Sequence, residues 1–336
     1  METLTEERPP APGVAASLPA PAAKSKPLAL LVAMRPQEWI KNLLVFAGLL
    51  FSGKLDEGAQ VLDATAAFAA FCAISSAGYL FNDLRDVVHD RQHPKKRDRP
   101  IASGALSPVA AWVSATALAA IGVAVALIGV SAEVAGVVAL YGVITAAYSL
   151  ILKQLVILDV MTIASLFCLR VVAGAVAVEA HASEWLLLCT AMLALFLGFT
   201  KRRQEAMSAE SIPASSARER DATGHSARPN AGAAGSQMTR PVLEHYSLAF
   251  LDQMVAMVTA AAIMSYAIYA VNSPLIGSRM LATAPSVLYG IFRYLYLIYD
   301  RRDTRSTSAI LIQDPGMIFA GVSWVGAALA MLYVFD

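Results

Sequence analysis

Gly78-Tyr79-Leu80-Phe81-Asn82-Asp83-Leu84-Arg85-Asp86-Val87-Val88-His89-Asp90 marks the point where an apolar run, 61–82, turns polar. A helix needs about 20 apolar residues to cross a bilayer. Backbone groups in lipid must be satisfied within the segment, so the run reads as a helix. Three carboxylates and an amide fall where that helix leaves the membrane. On a helix Asp83, Asp86 and Asp90 stand at i, i+3 and i+7 and point to one side, and Asn82, Asp86 and Asp90 share much of that face. Clustered like charges repel, so such a face needs a cation to neutralise it. Hard oxygen ligands favour Mg²⁺, and Mg²⁺ favours phosphates as its other ligands. The pattern implies a metal diphosphate held at a membrane surface.

The rest of the chain agrees with a membrane setting. Of its 336 residues 57% are hydrophobic and only 15% charged, where a soluble domain carries about a quarter charged residues. The mean hydropathy is +0.57. A net charge of +1 carries little meaning, because the charges are segregated along the chain. No nucleic-acid partner is expected. Cys72, Cys168 and Cys189 are isolated in apolar segments without metal-ligand spacing, and read as small packing residues. Residues 1–26, rich in Ala and Pro, have no basic start leading into an apolar core and read as a disordered cytoplasmic tail.

The fold expected is all-α: a polytopic helix bundle with about nine transmembrane spans, near 30–52, 61–82, 108–129, 132–151, 156–178, 184–200, 246–270, 281–299 and 316–335. Pro36 lies early enough in the first span to act as a helix start. Residues 27–336 form one catalytic membrane domain, interrupted by a Ser/Ala/Gly/Arg-rich stretch at 205–240 that reads as a flexible cytoplasmic insertion. About 20 of the 26 Lys and Arg lie on one side of these spans. The positive-inside rule puts that side, and the N-terminus, in the cytoplasm and Asp336 on the far side. Abundant Gly, Ala and Ser permit tight packing within or between subunits, so a homo-oligomer is compatible.

Several other polar groups have no business in lipid. Behind the acidic face, 91–99 carries five cations, of which Lys96, Arg97 and Arg99 are candidate phosphate ligands. His89 and His93 read as loop residues. Tyr148 and Lys153 precede the fifth span, and Asp159 lies several residues into it, where an ionisable group faces the bundle interior. Asp159 is either a further metal ligand or a partner for Arg170, itself a structural group or a phosphate ligand. Trp39 reads as an interfacial anchor, while Lys41 and Asn42 read as lining a polar cavity. Lys201, Arg202 and Arg203 close the sixth span as candidate anion ligands or as a stop-transfer flank. Arg293, among Tyr289, Tyr294 and Tyr296, points to the same cavity.

These residues carry a family resemblance. Asn82-x-x-x-Asp86-x-x-x-Asp90, with Lys96-Arg97-x-Arg99-Pro100-Ile101-x-Ser103-Gly104, resembles the first signature of the UbiA-type membrane prenyltransferase superfamily, and 148–159 resembles its second. Only Asp159 stands where that second signature often has two acids. Arg35-Pro36-Gln37-x-Trp39-x-Lys41-Asn42, Leu158-Asp159-Val160, Leu169-Arg170-Val171-x-Ala173-Gly174 and Lys201-Arg202-Arg203 are similar to the branch of decaprenyl-phosphate phosphoribosyltransferases.

The resemblance implies Mg²⁺-dependent transfer of 5-phosphoribose from phosphoribosyl diphosphate to a polyprenyl phosphate, feeding cell-wall arabinan synthesis at the plasma membrane. Asn82, Asp83, Asp86, Asp90 and Asp159 would serve the metal, the four aspartates as catalytic groups. Lys41, Asn42, Lys96, Arg97, Arg99, Tyr148, Lys153, Arg170, Lys201, Arg202 and Arg293 would bind substrate. An anionic acceptor needs no strong base, which matches the lack of a His or Cys nucleophile. A prenyl diphosphate:arene prenyltransferase shares the metal logic but suits the density of cations less well. A secondary transporter suits poorly an acidic cluster at a helix end rather than mid-membrane.

Overall fold

The structure, a computed structural model, describes residues 26–93, 96–221, 246–273 and 275–333, and of 209–221 the backbone only. The expected tail, 1–26, therefore lies almost wholly outside the described residues. Every regular element described is helical. In chain order they are α1 (Lys26–Met34), a 3₁₀ segment (Pro36–Val45), α2 (Phe46–Leu50), α3 (Gly58–Gln92), α4 (Pro108–Gly129), α5 (Ala132–Leu150), α6 (Leu158–Ala177) and α7 (Glu184–Asp221). There follow α8 (Leu248–Val271), α9 (Ala284–Tyr299), α10 (Thr307–Gln313) and α11 (Pro315–Tyr333), and further 3₁₀ segments lie at Lys96–Asp98, Leu152–Gln154 and Gly277–Thr283. Several starts are written in the sequence. Ser107, Ser131, Ser247 and Ser306 each accept a hydrogen bond from the backbone N–H three residues on, opening α4, α5, α8 and α10.

Eight helices among the described residues are long and apolar enough to cross a membrane. The ninth expected span, 30–52, is not one helix but three pieces. Arg35 adopts φ 56°, ψ 62°, the left-handed region, and the residue before a proline is disfavoured in the right-handed helical region. Pro36 starts a 3₁₀ segment there and so breaks the run rather than opening a helix across it. The stretch expected as an insertion begins as a helical continuation of α7 through Asp221; its remainder, 222–240, lies outside the described residues.

Two of the apolar cores among the described residues frame the site. Phe71, Val138, Tyr141 and Leu166 knit α3, α5 and α6 together around Val45. Val160, Phe196, Leu251, Tyr294 and Ile310 join α6, α7, α8, α9 and α10. Outward faces remain apolar, as Val113, Ile128, Val143 and Phe319 illustrate. Helices that are apolar all round belong in lipid. The broken first element runs against both α3 and α6. At the crossing, a Cβ added to Gly174 would lie 1.8 Å from the Val45 carbonyl oxygen, so only glycine permits the approach.

Candidate active site

The helical spacing of the acidic residues has the consequence expected of it. Asp83 and Asp90 are buried and Asp86 is half-buried, while Arg85, Val88 and His89 on the opposite side are exposed. Each carboxylate of this face meets a cation from a different segment. Arg35 reaches Asp83 at 2.6 Å from the break after α1. Arg99 bridges Asp83 at 3.1 Å and Asp90 at 2.7 Å. Lys153, in the turn between α5 and α6, reaches Asp86 at 2.5 Å. Asn82 donates to Asp86 at 3.2 Å and accepts from Lys153. Arg99 is delivered by a loop folded back on α3, pinned by Arg91 donating to the Ala102 carbonyl at 3.2 Å.

A second cluster lies across the turn from the first. Asp159, at the start of α6, has no exposed surface. Its Oδ2 accepts from Arg202 Nε at 2.6 Å and its Oδ1 from the Tyr246 hydroxyl at 2.9 Å. Arg202 also donates to Tyr148 at 3.2 Å and pairs with Glu205. Burial pushes the Tyr246 phenol up to about 12, so it remains an O–H donor at any working pH.

The 3₁₀ segment fills the space between. Residues three apart eclipse in such a helix. Trp39 and Asn42 thus share one column and donate to Ser76 and Ser75 of α3, at 3.0 and 3.2 Å. Glu38 and Lys41 share the next; they pair with each other, and Glu38 accepts from Ser308 of α10 at 2.9 Å. Lys201 lies near enough to act on Glu38 electrostatically. Deeper still, Arg170 donates to Asn42 Oδ1 at 2.8 Å, to Tyr141 at 2.7 Å and to the Leu166 carbonyl. The alternative Asp159–Arg170 pair does not form, because eleven residues of helix separate them by about 16 Å.

The structure therefore brings Asn82, Asp83, Asp86, Asp90, Arg99 and Lys153 into one group, and Tyr148, Asp159 and Arg202 into a second. Asn42 and Arg170 form a third, with Lys41 and Lys201 gathered at Glu38. Arg97 is exposed, whereas the Lys96 backbone donates to His93 and Lys96 lies near enough to Asp90 to act on it electrostatically. Arg293 does not join the cavity, since Asp314 holds it bidentately at 3.1 and 3.0 Å. Arg35 stood in the sequence reading only as part of the first-element motif, without a role, and Glu38 and Tyr246 were not singled out. The Arg35-Pro36 pair and the Glu38/Lys41 spacing were available signals. Tyr246 had none, because its partners lie 87 and 89 residues away.

Among the described residues no three acidic, His or Cys side chains converge into a ready-made cage. Mg²⁺ does not demand one: it is commonly held by one or two carboxylates, with substrate phosphates and water completing the shell. Asp86 with Asn82 offers such hard oxygen donors at the most open point of the acidic face, where the Asp86 side chain is 30% exposed. Asp83 and Asp90 stand behind it. Asp159 fits poorly, since both its oxygens are taken and it is closed to solvent.

A polytopic helical bundle whose broken first element and α3 terminus bring paired acids and bases together at the end of a long apolar span suits a membrane-embedded transferase. Residues 42–213 match the UbiA prenyltransferase family, and the chain belongs to it. A decaprenyl-phosphate phosphoribosyltransferase of Corynebacterium glutamicum is 29% identical over 312 residues, 91% of this chain and 87% of the relative. The protein of the same name from Mycolicibacterium smegmatis is 36% identical over 54% of this chain and 58% of its own length. A solved UbiA homologue from Archaeoglobus fulgidus, bound to GPP and Mg²⁺, shares the fold with a TM-score of 0.66. It is 18% identical, over 90% of this chain and 99% of that one.

Proposed function

We propose that the chain transfers 5-phosphoribose from 5-phosphoribosyl 1-diphosphate to a polyprenyl phosphate, decaprenyl phosphate in the relatives' names, giving the lipid-linked phosphoribose and diphosphate for cell-wall arabinan synthesis. The observation that carries the reading is the pairing of every carboxylate on the α3 face with an Arg or Lys drawn from another segment. Such a mouth is close to neutral alone and offers both halves of a diphosphate site: oxygen donors for a metal and cations for phosphate oxygens. The likeness along 91% of the chain to the corynebacterial relative supports the same donor and acceptor.

Bound Mg²⁺ would neutralise the donor diphosphate and make it a better leaving group. Asn82, Asp83, Asp86 and Asp90 would hold it. With those carboxylates serving the metal, Arg35, Arg99 and Lys153 would be available to the phosphate oxygens, so no charge would be left bare. The bond from C1 of the ribose to the diphosphate oxygen breaks as an oxygen of the lipid phosphate bonds to C1 from the opposite face. The carboxylates beside the ring stabilise its developing positive charge. The acceptor phosphate is already anionic, so no base is required. Its tail stays in lipid. The site faces the cytoplasm of a plasma membrane in this reading, where the soluble donor is found.

The test uses purified protein in detergent with Mg²⁺, labelled phosphoribosyl diphosphate and polyprenyl phosphate. Label should enter the lipid phase, and chelation of Mg²⁺ should stop it. Transfer from a prenyl diphosphate to an arene, with no phosphoribosyl transfer, would replace this reading by the arene prenyltransferase one.

A further inference from the structure

Leu155, Val156 and Ile157, in the turn between α5 and α6, and Leu158, which opens α6, are each 37–45% exposed, so packing does little to hold this turn. Its backbone is nonetheless strained. Ile157 adopts φ 69°, ψ −47°, a conformation that a β-branched residue avoids. Hydrogen bonds from outside the turn fix it there. The Ile157 N–H donates to the Tyr246 hydroxyl at 2.6 Å, and that hydroxyl donates in turn to Asp159 at 2.9 Å. Asp159 is locked by Arg202, and Arg202 by Tyr148 at the end of α5. The chain of contacts ties α5, α6, α7 and the entry to α8 around one seven-residue turn, 151–157. Tyr246, Asp159 and Arg202 are 5%, 0% and 1% exposed, and their polar atoms are engaged with one another and with the turn. What the fixed turn presents is Lys153, which reaches across to Asp86 and Asn82.

We propose that Tyr246, Asp159 and Arg202 are a positioning unit for the α5–α6 turn, not a second metal-binding half of the site, and that their target is Lys153. Tyr246 is the member on which this rests, since its single hydroxyl satisfies the strained turn and the buried carboxylate together. The kinetic arm of the test rests on the donor assigned under Proposed function; the metal and proteolysis arms do not.

The experiment compares full-length wild type, Tyr246→Phe, Asp159→Asn, Asp86→Asn, Lys153→Met and the double variant Tyr246→Phe/Lys153→Met in detergent. Mn²⁺ binding, followed by electron paramagnetic resonance, should be within about twofold of wild type in Tyr246→Phe and Asp159→Asn, and at least about tenfold weaker in Asp86→Asn. Trypsin should cut after Lys153 about fivefold faster in Tyr246→Phe than in wild type. The donor KM of Tyr246→Phe should rise about tenfold with kcat within twofold. The double variant should be no worse than Lys153→Met, because residues acting through one another are not additive. Loss of Mn²⁺ affinity in Asp159→Asn equal to that in Asp86→Asn would make Asp159 a ligand and overturn the proposal. So would full additivity of Tyr246→Phe and Lys153→Met, or unchanged cleavage at Lys153. If Asp159→Asn does not fold, Tyr246→Phe decides alone. If wild type transfers no phosphoribose, the donor assignment fails while Mn²⁺ binding and proteolysis still judge the positioning unit.

Discussion

Gly174→Ala is the substitution whose cost the geometry states most directly. Its Cβ would sit 1.8 Å from the Val45 carbonyl oxygen and 2.6 Å from the carbonyl carbon. Ordinary contact begins near 3.4 Å, so the two backbones must part by more than an ångström. Neither can do so freely. Val45 is fully buried and ends the 3₁₀ segment, and the matching contact from Gly48 to Ala175, 2.5 Å for an added Cβ, closes the same crossing from the other side. Overpacking a dense interior costs about 1–3 kcal/mol, and a backbone clash on this scale belongs at the upper end. About 3 kcal/mol corresponds to a fall in Tm of roughly 5–10 °C. The control is Gly136→Ala in α5, where an added Cβ meets nothing within 4 Å. There the same chemical change removes unfolded-state freedom and should be neutral or stabilising by about 0.4–1 kcal/mol. Thermal melts of the two variants in one detergent at one scan rate make the comparison. Because the displaced segment carries Lys41 and Asn42, Gly174→Ala should also lose activity below its Tm. Equal melting of the two variants would refute the claim that the first element and α6 are in backbone contact.

Arg202→Met should cost about 3–5 kcal/mol, since it leaves the Asp159 carboxylate buried without a counter-ion; adding Asp159→Leu should recover much of the loss in thermal melts. Lys153→Met should change stability by less than about 1 kcal/mol, because Asp86 is part-exposed and screened, yet raise the donor KM at least tenfold in the radiolabel assay. On the cytoplasm-expected side, the hydrogen bond from Arg305 holds Asp303 below the usual carboxylate range, and the hydrogen bond from Arg293 does the same for Asp314. Both contributions are present above the unfolded carboxylate pKa of about 4 and are lost as pH falls through the lower folded values. The Tm should therefore drop below about pH 4, less steeply in Asp314→Asn; parallel curves for the two proteins would contradict the assignment.

What the sequence revealed and what it hid divide along one line. Periodicity and apolar length exposed the all-α class, the long spans and the inward acidic face, because each is a property of a single helix. Asp83 and Asp90 turned inward while Arg85 and His89 turned out, as their spacing requires. Partnerships across the bundle were invisible. Nothing local announces that Arg35 will meet Asp83 rather than lipid headgroups, or that Arg293 will be claimed by Asp314. Tyr246 follows a stretch with no periodic signal and meets its partners only after α6, α7 and the entry to α8 have assembled. The misread first span has a different cause: hydropathy records burial, not backbone conformation, and an apolar run reads alike whether α-helical or 3₁₀.

That misreading bears on how the site is built. An α-helix advances about 300° in three residues, so side chains three apart drift round the axis by about 60°; a 3₁₀ helix returns them to register. Over 36–45 the difference is decisive. Trp39, Asn42 and Val45 stay in one column and meet Ser76, then Ser75 and Arg170, then the Gly174 backbone, at successive depths. Glu38 and Lys41 stay in another, turned to Ser308. The rise of about 2.0 Å per residue, against 1.5 Å, also makes ten residues about 5 Å longer along the axis than in an α-helix. Irregular backbone is tolerated at membrane depth only where protein covers it, and here α3, α6 and α10 do so. The left-handed turn at Arg35 belongs to the same device: by redirecting the chain ahead of the 3₁₀ segment, it frees the Arg35 side chain to return to Asp83 while the backbone goes on down. The segment with the weakest helical regularity is therefore the one on which the charged mouth and the buried arginine both depend.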